Sequence, residues 1–107
     1  MEVWTMRKKI LSIISFYGAI PQLKYMQTEM FEFIEAIFQY EEQKRACLEN
    51  CSRLHCDKEK EHIEEEYADL MVMLEQFHAY YDLDDMHISE VMHQKIDRQL
   101  DRIEKEK

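Results

Sequence analysis

The 107-residue chain has almost no glycine or proline, with one residue of each. A β-sandwich or β-barrel needs turns about every 8–12 residues and draws on both residue types, so this scarcity disfavours both folds. Long apolar runs are also missing, because charged residues make up 35% of the chain and are interleaved with apolar ones. No membrane span is therefore expected. Since a hydrophobic content of 46% is too high for a disordered chain, we predict one all-α domain over residues 1–107.

Basic residues are in the minority, with 14 Lys and Arg against 23 Asp and Glu and a formal net charge of −9. Nucleic-acid binding requires clustered cations that contact phosphates, so no nucleic-acid partner is expected. The apolar stretch Ile10–Ile14 is too short for a signal peptide, and no small-residue cleavage site follows it. A cytoplasmic location is expected, where the three cysteines need not form disulfides.

Four helical segments are predicted from the apolar periodicity and the helix-breaking residues. They run over about Val3–Tyr17, Gln22–Glu42 with a further extension to Asn50 left open, Asp57–Tyr81 and Met86–Glu104. Short connections between long helices favour antiparallel packing, either as a four-helix bundle or as half of a larger intertwined one. Because a domain of this size buries only about two-thirds of its unfolded surface, we expect a homodimer or homotetramer.

Acidic pairs lie beside the apolar arcs of the second and third helices. On a helical projection Glu29 lies at the edge of one arc, with Glu32 about 60° beyond it. Glu66 and Asp69 have the same relation to the arc of the third helix. Carboxylates that converge inside a bundle must be paired, protonated or bound to a metal ion, and an all-oxygen site suits Mg²⁺ or Mn²⁺. At this stage the alternative remains open that these acids only edge a solvated face.

Four segments of the chain match, in their order and spacing, the pattern of a known protein family. They are Phe16–Lys24, the ExxE motif Glu29–Glu32, the segment Glu65–Leu70 that contains an ExxD motif, and Lys95–Arg102. Over residues 10–103 the chain thereby resembles the MazG-like family of all-α nucleoside triphosphate pyrophosphohydrolases, which are related to the dimeric dUTPases. Two positions depart from the family pattern, because Thr28 replaces a usual Glu and Gln99 a common Asn.

The resemblance implies an enzyme that cleaves a (d)NTP to (d)NMP and pyrophosphate. It also implies that the four acids, Glu29, Glu32, Glu66 and Asp69, bind Mg²⁺ and support catalysis.

Residues on one edge of the fourth helix are candidates for binding the triphosphate. Lys95, Gln99 and Arg102 lie there on the projection, and cations beside a metal site would share the negative charge of the substrate. The alternative is that Lys95 and Arg102 only lie along the bundle surface and bind no substrate. Three further candidates for substrate binding are Gln22, which projects close to Glu29, and Tyr25 and Tyr80, which would either stack on the base or pack in the core.

Two other metal sites and one non-catalytic function are alternatives. Three ExxH pairs would suit a ferritin-like di-metal site, although Glu75 and Glu90 project away from the apolar arcs. These pairs are Glu59–His62, Glu75–His78 and Glu90–His93. A zinc site is the second alternative, because cysteine and histidine side chains are common zinc ligands, although the usual CxxC spacing is missing. Its candidate ligands are Cys47, Cys51, His55 and Cys56. A helical interaction module that keeps the fold without turnover is the third alternative.

Overall fold

The structure, a computed structural model, describes residues 5–50 and 57–107, and these residues form four helices and no strand. Helix α1 spans Met6–Tyr17, α2 spans Ala19–Asn50, α3 spans Asp57–Tyr80 and α4 spans Asp85–Glu106. The all-α prediction is therefore confirmed, and α2 extends to Asn50. The predicted start of the first helix at Val3 lies outside the described residues. Among the described helices, none combines the length and apolar character that a membrane crossing requires.

A single glycine, Gly18, separates α1 from α2. Gly18 has φ +92° and its N–H donates to the carbonyl oxygen of Ile14 at 2.8 Å. A β-carbon at this position would meet only Pro21 at an ordinary 3.6 Å, so the positive φ rather than a lack of space favours glycine. Pro21 lies in the first turn of α2, where a missing N–H removes no helical hydrogen bond.

Two aspartates shape the connection from α3 to α4. Asp84 is the N-cap of α4, and its carboxylate accepts from the N–H groups of Met86 and His87 at 3.0 and 3.1 Å. Asp82 has φ +49°, a left-handed conformation that aspartate adopts more readily than most residues. The aspartates of this connection therefore end α3 and cap α4.

Helices α1, α2 and α3 pack together, with α2 and α3 antiparallel. The direction follows from the pairs in contact, because Gln22 bonds to Gln76 while Phe33 further along α2 meets Tyr67 earlier in α3. The buried apolar side chains are few and come from all three helices. They are Ile14, Ala36, Leu70, Met73 and Ala79.

Apart from a bond between Asp85, its first residue, and His78 of α3, helix α4 does not pack on the other three helices within the described residues. Within the described ranges, none of its Cα atoms comes within 8 Å of a Cα atom of α1, α2 or α3, and none of its side chains is buried. The radius of gyration is 18.6 Å, whereas a compact domain of this length has one of about 13 Å. One chain thus forms a three-helix unit with a projecting fourth helix, and a four-helix bundle is not formed within it.

The face of α2 that packs on α3 is unusually polar. It is centred on Gln22, Glu29 and Ala36, which recur every seven residues and are buried. Much of the apolar arc of the same helix is exposed instead, as are most apolar residues of α4. The exposed apolar side chains on these two helices include Leu23, Met30, Phe31, Ile34, Ile37, Phe38, Met92, Ile96, Leu100 and Ile103.

Candidate metal centre and adjoining cavity

Three of the four predicted acids meet between α2 and α3. Glu29, Glu66 and Asp69 each offer a carboxylate oxygen, and the three oxygens lie within 4.8 Å of one another. Glu29 belongs to the seven-residue series that α2 directs at α3, while Glu66 and Asp69 are one helical turn apart on the facing side of α3. The antiparallel packing of the two helices brings the three side chains together.

Two of these carboxylates are desolvated without full compensation. Glu29 is 6% exposed and the side chain of Glu66 is 13% exposed. The Oε2 atoms of both residues are buried and have no hydrogen-bond partner among the described residues. His62 is the nearest cation candidate, but its Nδ1 lies 4.0 Å from Oε1 of Glu66. Because an unpaired buried carboxylate oxygen is costly, the two orphaned oxygens fit a bound cation.

Glu32 lies outside this cluster. Its side chain is exposed, because the three-residue step from Glu29 turns it about 60° away from the face that packs on α3. The charge of Glu32 still acts on Tyr25, where it contributes to a raised pKa. The structure therefore brings together three of the four predicted acids and leaves Glu32 beside them at the surface.

Tyr25 lies beside the cluster, and its pKa is raised above the ordinary value of a tyrosine. The main cause is a side-chain hydrogen-bonding interaction with Glu29. The charge of Glu29, burial, and the charges of Asp69 and Glu32 act in the same direction. The neutral phenol of Tyr25 is thus the uncharged neighbour of the Glu29 carboxylate.

A cavity of about 520 Å³ adjoins the cluster, which is within the usual range for small-molecule sites. Glu29 and Asp69 form part of its wall, as do Tyr25 and the buried glutamines Gln22 and Gln76. The rest of the lining is apolar or aromatic and comes from α1, α2 and α3, namely Ile13, Tyr17, Pro21, Val72 and Met73.

The remaining predicted substrate-binding residues lie elsewhere. Lys95, Gln99 and Arg102 are exposed on α4 and do not line the cavity. Tyr80 is exposed at the end of α3, where its ring makes an edge contact with Tyr81 at 5.0 Å between centroids. Of the six candidates, only Gln22 and Tyr25 reach the cavity.

Sequence reasoning missed Gln76. The signal was available, because Gln76 follows Asp69 by seven residues and so lies on the same face of α3. A polar residue in that register is easily taken for a surface residue, but the approach of α2 leaves Gln76 only 1% exposed.

The alternative metal sites receive little geometric support. In the part of the chain that the structure describes, the acids around Glu29 are the only group of three or more potential ligands. His78 bonds to Asp85 at 2.6 Å, whereas Glu90 and His93 are exposed on α4. The zinc hypothesis falls mostly outside the described residues, since only Cys47 of its four residues is described. Cys47 accepts a hydrogen bond from Gln43 at 3.7 Å.

Comparisons of this chain with protein-family models, with curated proteins and with solved structures found no match.

Proposed function

We propose that this protein is a Mg²⁺-dependent nucleoside triphosphate pyrophosphohydrolase, which converts a (d)NTP and water to a (d)NMP and pyrophosphate. The single observation that supports this most strongly is the convergence of Glu29, Glu66 and Asp69, with two buried carboxylate oxygens unpaired. The cluster adjoins a cavity large enough for a small-molecule ligand. The order of the motifs in the sequence favours the same activity.

The donor set fits Mg²⁺, or Mn²⁺, better than it fits a softer metal. All three groups are carboxylates, and hard divalent cations prefer oxygen ligands. Glu29 and Glu66 would hold the ion from its protein side, and Asp69, which is exposed, would complete the set next to the cavity. When bound there, the ion would neutralise part of the triphosphate charge and lower the pKa of a coordinated water.

Residues around the carboxylates would position them for metal binding. The phenol of Tyr25 would orient Glu29, and the largely apolar cavity wall would limit the access of bulk water to Glu29. In the reaction, a water oxygen bonds to the α-phosphorus while the bond to the bridging α–β oxygen breaks. The water gives up a proton, and pyrophosphate departs with the electron pair of the broken bond.

A second copy of the chain completes this proposal. The exposed apolar arcs of α2 and α4 form no contact with each other in one chain, and burying them against a second copy would favour a homodimer or homotetramer. Lys95, Gln99 and Arg102 would then approach a carboxylate cluster from a neighbouring subunit. A chain that remains monomeric in light scattering at micromolar concentration would contradict this arrangement.

Pyrophosphate release is the direct test of the activity. Canonical and modified (d)NTPs are incubated with Mg²⁺, and the wild-type protein, Asp69→Asn and the exposed-acid control Glu75→Gln are compared. We expect release by the wild type and the control, none in EDTA, and a rate about 10²-fold or more lower for Asp69→Asn. Full activity of a folded Asp69→Asn variant would contradict the mechanism.

A non-catalytic interaction module would give a different pattern in the same experiment. It would release no pyrophosphate from any nucleotide, and its melting temperature would not respond to Mg²⁺ with a nucleotide analogue.

A further inference from the structure

The cavity contains a buried amide pair that the carboxylate chemistry does not use. Gln22 and Gln76 are 8% and 1% exposed, and both line the cavity. The Nε2 of Gln22 donates to Oε1 of Gln76 at 2.7 Å, and the Nε2 of Gln76 donates to the Met73 sulfur at 3.5 Å. A thioether is a weak acceptor, and each amide has more donor and acceptor capacity than these two bonds use. The pair can therefore bind a polar ligand group inside a mostly apolar cavity.

The amide pair and the carboxylates lie at two levels of the same helix pair. Gln22 precedes Glu29 by seven residues on α2, and Gln76 follows Asp69 by seven residues on the antiparallel α3. Seven residues correspond to about 10 Å along a helix. This separation is comparable to that between a phosphate group and the outer edge of the base in an extended nucleotide.

We propose that Gln76, together with Gln22, binds the hydrogen-bonding edge of the nucleobase and that Gln76 determines base specificity. The proposal rests on the proposed nucleotide-hydrolysing function, because it assumes that the phosphates lie at the carboxylate level. An amide offers a donor and an acceptor side by side, which complements a base edge with the same two groups. A base acceptor would replace the weak sulfur contact of Gln76, and the ligand class is thus a nucleotide with an intact base rather than a simple polyphosphate.

A purely structural role would give a different result. The bond between Gln22 and Gln76 also links α2 to α3, so its loss would lower the stability of the fold. Such a loss would weaken every ligand of the site to the same extent. A specificity role would change the ratio of the affinities for nucleotides with different bases. It would leave the affinity for a ligand without a base unchanged.

Binding is measured by calorimetry, with Ca²⁺ replacing Mg²⁺ to suppress turnover. The probes are ATP, GTP, CTP, UTP, their 2′-deoxy forms and inorganic tripolyphosphate. The variant is Gln76→Met, which keeps the length of the side chain and removes the amide. Leu70→Val serves as the control, because Leu70 is buried on the same helix but does not line the cavity.

For Gln76→Met we expect the Kd of the best nucleotide to rise at least about tenfold, because a hydrogen-bonded pair is replaced by an unpaired Gln22. The ratio of the Kd of the worst nucleotide to the Kd of the best nucleotide should shrink. The Kd of tripolyphosphate should stay within about twofold of the wild-type value. Leu70→Val should lower the melting temperature without changing that ratio.

Three results would overturn the role of Gln76. These are a wild type that binds no nucleotide, an unchanged ratio between bases, and an equal loss of affinity for all probes including tripolyphosphate. Pyrophosphate release is scored separately, so a protein that discriminates bases without hydrolysing them would refute the proposed activity and leave the base subsite standing.

Discussion

Neutralising Glu29 should stabilise the metal-free protein and abolish its response to Mg²⁺. The Glu29 and Glu66 carboxylates have oxygens within 4.8 Å of each other and are largely buried. Two unit charges at that distance repel by about 3.5 kcal/mol at an effective dielectric constant of about 20. The Glu29→Gln substitution removes this repulsion and the burial of one charge, while its amide oxygen can still accept from Tyr25.

The variant should be the more stable protein without metal, and the wild type should be the more stable protein with Mg²⁺. In EDTA the variant should be more stable than the wild type by about 2 kcal/mol, which is a rise of roughly 10 °C in Tm for a domain of this size. With Mg²⁺ at about a hundred times its Kd, the wild type should gain about 2.7 kcal/mol, whereas the variant should gain little.

Thermal unfolding in EDTA and in a Mg²⁺ series provides the assay. Glu35→Gln is the matched control, because it makes the same charge change at an exposed position of α2 and should shift stability by less than about 0.5 kcal/mol in either condition. If Glu29→Gln destabilises the metal-free protein, or if it keeps the wild-type response to Mg²⁺, the cluster is not the metal site and the electrostatic reasoning is wrong.

Three further predictions concern the support of the site, the core and the assembly. Tyr25→Phe should weaken Mg²⁺ binding about tenfold by calorimetry, because it removes the hydrogen bond that orients Glu29; an unchanged affinity would exclude that role. Ile14→Ala should lower the free energy of unfolding, measured by urea denaturation, by about 2–5 kcal/mol, because the side chain is fully buried. A loss below about 1 kcal/mol would mean that α1 contributes little to the core. Mixing inactive Glu66→Gln with inactive Lys95→Ala should restore part of the activity if α4 serves a neighbouring subunit, whereas no recovery after subunit exchange would refute that sharing.

The raised pKa of Tyr25 also has a pH consequence. A tyrosine whose pKa is higher in the folded than in the unfolded state contributes stability that is present below pH 10 and is lost as the pH rises through the folded-state pKa. The metal-free wild type should therefore lose more stability above pH 10 than Tyr25→Phe does. Equal alkaline losses in the two proteins would show that Tyr25 does not bond to Glu29 in solution.

The local features of the fold were predictable because they depend on neighbours in sequence. Gly18 and Asp84 mark helix ends through their own backbone and side-chain chemistry, which does not depend on distant parts of the chain. The acids on α2 and α3 were also recognisable from their three-residue spacing. Periodicity gives the angle between Glu29 and Glu32 but not the rotation of each helix about its axis, and that rotation decides that Glu29 rather than Glu32 faces α3.

The packing of α4 could not be predicted from local patterns, which left a four-helix bundle and half of a larger intertwined bundle as alternatives. The apolar arc of α4 predicts burial but does not identify the surface that buries it. The same limit applies to Lys95, because its place on α4 does not identify the chain whose acids it approaches, and within one chain α4 projects away from them.

The sequence by itself determined the four helices and the faces on which the acids lie, because helix formation and capping are set by residues a few positions apart. Only the tertiary structure decided that three carboxylates meet, that two of their oxygens lack partners, and that a glutamine from each of α2 and α3 is buried in one cavity. Those properties depend on the antiparallel register and rotation of two helices, and packing across the whole unit sets both.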